Sequence, residues 1–396
     1  MTTHSPLRPW IAASLLSVCV ALAGGEVAAR LLGSEQGYVT GAMVSSAMRG
    51  QGPEALSRPH ARFIWVGHPG RRQEFAVFVR NNAFGFHDGE HDLPKSPGRQ
   101  RILVVGDSFV ETLQVPLQAG FPRLLAERLR RRGAPVEIVV VARSGWGPIE
   151  YAAAVEEWAE KLDPDLVVCC FYPGNDVRNA SAEAENLFAK QSAGPLGDLW
   201  NRRETSALPG VLVPSSRLNA LVSRLVLLHR IRRRYAAWPF PYKIPVDFYV
   251  FAQGRDPIPF VEAGWSRFRT EVARMAAILG RRKCPLLAVS TSDDFRLARG
   301  PRELVNALSR DYDETARWDW DFTLFEKRLA SILSPLGIPY VDLQDLFAAR
   351  MRASGRLCHF PSDGHWNETG HAWAAEALEP EVERLLPRRP GVPPSP

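Results

Sequence analysis

The chain has little sulfur chemistry to offer. Its 396 residues include five cysteines, Cys19, Cys169, Cys170, Cys284 and Cys358, with no C-x-x-C spacing, so neither a disulfide framework nor a thiolate zinc site is indicated. Cys169 and Cys170 are neighbours in an apolar run and should point to opposite faces of a strand as small core residues. No H-E-x-x-H or comparable ligand cluster occurs, and no metal or other cofactor is expected. The phosphate loop G-x-x-x-x-G-K-[ST], the G-x-S-x-G elbow and the third glycine of a dinucleotide fingerprint are all missing. There is no lysine-rich tract either. The net charge of +6 comes from arginines scattered along the chain, which excludes the patterned basic surfaces of nucleic-acid modules and leaves a weak attraction to anionic surfaces. With 45% hydrophobic and 23% charged residues, the chain has enough apolar material for a large core and is not a disordered protein.

One long apolar run is present. "WIAASLLSVCVALAGG" (10–25) is uncharged over 16 residues and follows Arg8; as a helix it would reach roughly 24 Å. Glu26 and Arg30 stand four apart behind it, where they can pair at an interface. The run reads as an N-in signal anchor over 1–33, with a secretory signal cut after Ala23 and a buried core helix as the alternatives. The anchor is favoured because the apolar helix continues through Leu31 and Leu32. Anchor and signal both put the bulk of the chain outside the cytoplasm, membrane-anchored in the periplasm or at the cell surface in the first case and secreted in the second.

Residues 34–99 are irregular, with strand-like pieces such as "EFAVFVRNN" (74–82), and predict a leading β-rich segment packed on the main domain. After Arg101 strands and amphipathic helices alternate. Strands are expected over 101–105, 136–142, 165–172, 285–291 and 339–343, and helices near 121–132, 149–162, 267–282, 324–337 and 369–386. Apolar runs of this length between such helices predict parallel strands covered on both faces, an α/β, three-layer αβα architecture. The main domain spans 100–386 and is interrupted by an insertion at 181–264, in which "LNALVSRLVLLHRIRRRYAAW" (218–238) has helical spacing and a basic end. It is expected to cap the active face; lying on a membrane surface is the alternative. The tail 387–396 should be disordered.

Ligands of open parallel sheets bind at the carboxyl ends of the strands. Ser108 follows the first main strand, "SGWG" (144–147) the second, "PGND" (173–176) the third, and "FPSDGHWNETGH" (360–371) comes before the last helix. A hydroxyl, a closely approachable glycine N–H, a carboxamide, and an acid with a histidine are the parts that acyl transfer needs. Read by themselves, Asp107 is an N-cap, Asp176 a turn residue, Glu111 a first-turn residue, His371 and Trp366 packing residues, and Trp200, Trp238 and Tyr242 aromatics that could stack on sugars or be buried.

"GDSF" (106–109), "SGWG" (144–147), "GND" (174–176) and "DGHWNETGH" (363–371) resemble, in order, the blocks of the SGNH, or GDSL-type, hydrolases. The resemblance spans 100–180 and 265–386. It implies a flavodoxin-like parallel sheet with Ser108 as nucleophile, His365 as general base, Asp363 orienting it, and an oxyanion hole made by the Ser108 N–H, the Gly145 N–H and the Asn175 side chain. The commonest last block is Asp-x-x-His; here position 362 is Ser and the spacing is Asp-x-His, which also occurs in SGNH-like acetyltransferases of extracellular polysaccharides, where the block precedes the serine. The activity implied is a serine esterase acting on an acyl, acetyl or short-chain, ester of a carbohydrate or lipid. An O-acyltransferase for an extracytoplasmic polysaccharide and a non-catalytic binding module are the alternatives.

Overall fold

Strand β4 (Gln100–Gly106) is apolar from Ile102 onward, and β5 (Val136–Ala142), β6 (Leu166–Phe171) and β8 (Leu286–Ser290) are apolar at almost every position. Such strands can be satisfied only by helices on both faces. In the computed structural model, which describes residues 42–44, 57–67, 74–193, 246–254, 256–299, 303, 305, 306, 318–361 and 363–387, this is what they do. Together with β10 (Tyr340–Asp342) they form a five-stranded, wholly parallel sheet of order β10-β8-β6-β4-β5. Leu103, Val105, Val139, Val167, Cys169 and Phe171 share one core with α3 (Pro148–Leu162), α6 (Pro259–Arg281) and α8 (Leu324–Leu333). Ile102, Val104, Ile138, Val168, Cys170 and Val289 share the other with α2 (Phe121–Arg131), α9 (Leu343–Ser354) and α10 (Glu368–Leu385). The period-2 alternation is hidden in the sequence because both faces are apolar, yet Cys169 and Cys170 do fall in different cores.

From β4 the chain goes to β5 on one side and returns to β6 on the other. The crevice at such a reversal lies at the carboxyl end of β4, where Ser108 sits. Around it the short elements are α1 (Ser108–Glu111), α4 (Asp176–Asn179) and α7 (Asp294–Arg299).

Two differences from the sequence expectations concern the second half. Helix α9 is not among the expected elements, and α6 starts at Pro259, eight residues ahead of the expected 267, with Pro in the first turn where a missing N–H costs nothing. Val246, Tyr249, Val250, Phe251, Phe260 and Trp265 are buried in the α3/α6 core, so residues 246–264 belong to the packing of the α/β fold and not to an insertion standing apart from it. At the other end of this stretch α5 (Ala182–Ala193) is described. The short ladder β7 (Ala252–Gln253) with β9 (Asp319–Trp320) ties 252 to the region before α8. The segment 218–238, Trp200, Trp238, Tyr242, the apolar run 10–25 and the tail from 388 lie outside the described residues. Among the described residues no helix is long and apolar enough to cross a membrane.

The leading segment forms an antiparallel sheet of β1 (Ala42–Val44), β2 (Arg62–Val66) and β3 (Ala76–Arg80). Its inner face, with Phe63, Val77 and Val79, packs on Leu113 and Val115 just after α1 and on Phe360, whose ring lies 4.9 Å from that of Phe75. Residues 88–91 then run along β5, the edge of the main sheet. Asp88 accepts the Val140 N–H there at 2.9 Å, closing part of an edge that would otherwise be open for pairing. His91 bridges Asp88 and Glu137 at 2.8 Å on each ring nitrogen. Burial works against its protonation, but the two carboxylates outweigh it and hold the imidazole above its ordinary pKa. Glu137 also accepts from Arg101 Nε at 2.9 Å, and the fully buried Arg101 guanidinium donates to the Leu93 and Leu162 carbonyls at 2.8 Å. A buried arginine survives only with its donors taken up in this way.

Candidate active site

Ser108 opens a helix of one turn. Asp107 is the N-cap: its buried carboxylate accepts the Phe109 N–H at 3.0 Å. Burial, against that hydrogen bond and the attraction of His365, pushes its pKa up to about 6. This is a capping group, and no hydrogen bond joins it to the Ser108 hydroxyl.

His365 reaches that hydroxyl from the other end of the chain. Its Nε2 lies 2.8 Å from Ser108 Oγ and its Nδ1 2.6 Å from Asp363 Oδ1. The Asp-x-His spacing works because of the residue between. Gly364 has φ +84°, a left-handed conformation that a side chain would strain, and the tight turn folds the Asp363 carboxylate back onto its own loop. Asp363 Oδ1 also accepts the His365 N–H at 3.3 Å, and Gly364 N–H donates to the Phe360 carbonyl at 2.8 Å. The imidazole lies 5.0 Å from the ring of Phe109. Burial alone would lower the pKa of His365; the Asp363 hydrogen bond and charge, with Asp107 and Asp294 behind them, raise it above the ordinary value.

The other two expected oxyanion donors stand at the ends of the two strands that flank β4. Gly145 follows β5 in an exposed turn with φ +82°, open space where a side chain would be. Asn175 follows β6 as the residue before α4. A turn asparagine would cap that helix, but Asn175 makes no such bond, and its Oδ1 is buried without a hydrogen-bond partner. Its neighbour Asp176 carries the structural work instead, accepting from Tyr172 N and Tyr151 Oη at 3.0 Å each; burial raises its pKa well above the usual carboxylate range.

His371 is fully buried against Phe121, with rings 6.3 Å apart and stacked, and burial lowers its pKa to about 3. Trp366 donates from its indole to Ser292 Oγ at 2.8 Å. Both are packing residues, at the positions expected of them. The sequence reading misses Asp294, at the carboxyl end of β8, whose carboxylate lies against Gly364. The strand-end rule that picks out Ser108 applies equally to "TSDD" (291–294) and could have found it. Next to it, Asp293 is held by Arg296, which is bound in turn by Glu326.

A base that must be neutral to accept the serine proton loses its function on protonation. Because Asp363 holds the His365 pKa above about 6.5, kcat/KM for an ester should fall on the acid side with an inflection above that value. In Asp363→Asn the raising partner is gone, so the inflection should move down while the maximal rate drops. A pH–rate profile of both proteins measures this; an inflection unmoved by the substitution would mean that Asp363 does not set the charge state of His365.

No protein-family model matches the chain, and no curated protein matches it. Solved structures do. TesA is 13% identical over 72% of this chain and 100% of its own, with a TM-score of 0.38. The acetyl xylan esterase AlAXEase is 11% identical over 71% and 99%, with a TM-score of 0.39. A member of the lipolytic protein G-D-S-L family from Veillonella parvula is 11% identical over 72% and 99%, with a TM-score of 0.35. The chain is similar to these structures.

Proposed function

We propose that this chain is a serine ester hydrolase of the SGNH, or GDSL, type that removes a small acyl group, acetyl or short-chain, from a carbohydrate or lipid. The observation that carries the reading is the unbroken line of contacts Asp363–His365–Ser108, at 2.6 and 2.8 Å. These are the distances at which a base can take a proton from a nucleophile while a third group fixes its tautomer. Ser108 Oγ attacks the ester carbonyl carbon and its proton passes to His365 Nε2. The electron pair moved onto the carbonyl oxygen is met by the N–H groups of Ser108 and Gly145 and by the Asn175 amide. The tetrahedral intermediate then expels the alcohol oxygen, to which His365 returns the proton, leaving acyl-Ser108. Water attacks that ester by the same route, and the acid leaves with Ser108 regenerated.

We further propose that 100–386 is the catalytic domain, that 34–99 packs on it, and that the run 10–25 anchors both outside the cytoplasm. Arg8 ahead of the run favours that orientation. A full-length chain that stays in the membrane pellet after carbonate washing agrees with the anchor; a soluble chain beginning at Gly24 contradicts it.

Ser108→Ala and His365→Ala should each abolish hydrolysis of p-nitrophenyl acetate with the circular dichroism unchanged, since neither side chain fills core. Asn175→Ala should lower kcat by about 10²–10³-fold with little effect on KM. Its melting temperature should hold, because the amide makes no cap bond to lose. Full activity in any one of the three overturns the role given to that residue.

A further inference from the structure

Gly145 is an exposed glycine in a left-handed turn, and a backbone N–H on such a turn stabilises an oxyanion only if it is held before the charge develops. The residue that holds it lies at the end of the one-turn helix begun by the nucleophile. Glu111 Oε2 accepts both the Ser144 N–H, at 2.7 Å, and the Ser144 hydroxyl, at 2.5 Å. Glu111 is itself fixed: its carbonyl receives a hydrogen bond from the buried His87 ring at 2.9 Å, and Thr112 after it closes α1 by donating to the Ser108 carbonyl at 3.1 Å. On the far side of the turn, Asn179 donates to the Gly145 carbonyl at 3.3 Å, and Trp146 N–H donates to the Arg143 carbonyl at 3.1 Å. The turn is therefore gripped from α1 on one side and α4 on the other.

Resting on the ester-hydrolase reading, we propose that Glu111 is a positioning residue that sets the Gly145 N–H in register with Ser108, so that nucleophile and oxyanion donor are carried by one rigid turn of helix. Four residues separate the glycine that ends β4 from this carboxylate, and that short span fixes the distance between Ser108 and the 144–147 turn. Without Glu111 the N–H of Gly145 remains present but its direction is no longer imposed; water can then serve the Ser144 donors, and part of the preorganisation is lost. Glu111 is half-buried, and burial raises its pKa against the opposing pull of the two Ser144 bonds and Arg143.

The test compares Glu111→Ala, Glu111→Gln and Ser144→Ala with wild type and Ser108→Ala on p-nitrophenyl acetate, with melting temperatures and with inhibition by phenylboronic acid, whose adduct on a serine puts an oxygen into an oxyanion hole. Removing an oxyanion donor outright costs about 10²–10³ in kcat, so loosening one should cost about 10–100-fold, with KM nearly unchanged and boronate binding weakened by a similar factor. Glu111→Gln should recover most of the activity, because both bonds go to one oxygen and an amide oxygen can take the same two donors. Ser144→Ala, an exposed substitution that leaves the fold intact, should lose a smaller part by the same pattern. Unchanged kcat and boronate binding in Glu111→Ala, a KM effect alone, or a Gln variant as impaired as Ala each overturn the proposal. Should Glu111→Ala fail to fold, a Ser144→Ala enzyme with wild-type kcat and boronate affinity overturns it. If instead wild type and Ser108→Ala hydrolyse the ester equally, it is the hydrolase reading that has failed.

Discussion

A serine hydroxyl and an imidazole separated by 257 positions in the sequence meet at 2.8 Å, and the parts of the fold that carry them are held from several sides. Ser108 is placed by β4, an interior strand of the parallel sheet, at the point where the chain reverses direction to β5 on one side and β6 on the other. The imidazole comes from a loop that succeeds the far edge strand and α9. That loop reaches the rim because it is tied down at both ends, by the 359–366 bridge before it and by Asn367, which caps α10 through the Thr369 and Gly370 N–H groups, after it.

Two further restraints act on the same meeting point. The leading sheet packs against the segment after α1 and against Phe360 before the Asp363 turn, so a single small apolar cluster joins the segments that follow Ser108 and precede His365. Its continuation is fastened to the main sheet by Asp88, His91, Glu137 and Arg101, charged groups whose burial would be costly if any were unpaired. The described residues 57–67 and 74–91 thus brace the rim, by polar pairing at one end and aromatic packing at the other. On the opposite side, Asp176 holds the Tyr172 N–H and the Tyr151 hydroxyl and so fixes the backbone that carries Asn175.

Much of this is legible in the sequence. Unbroken apolar runs such as "RILVV" and "DLVVCCFY" announce two-sided burial, and the strand-end positions of Ser108, Gly145 and Asn175 follow from the parallel topology. Helix α9 is hard to read because β10 passes into it without a loop: Asp342 ends the strand and caps the helix at once, its carboxylate accepting the Gln344 N–H at 2.8 Å. Asp342 before Leu343, Leu346 and Phe347, with Gly355 beyond, is the signal available. The start of α6 is obscured by a change of composition that looks like a boundary, whereas Phe260, Val261 and Trp265 already have the spacing of a buried helical face. The Asp363 geometry depends on the backbone of Gly364, which residue spacing alone does not reveal. The role of Glu111 is a tertiary contact between two loops, and no local pattern encodes it.

If Ser108 is a nucleophile made so by His365, a fluorophosphonate reports on it directly, because attack by a serine oxygen forms the P–O bond and expels fluoride, leaving a stable mass on the residue that attacked. Intact-mass and peptide analysis should find one phosphonyl group per chain, on Ser108, formed at a rate that falls as the pH drops through the His365 titration and that collapses in His365→Ala. Labelling at another residue, or labelling of Ser108 at the same rate without His365, would contradict the account.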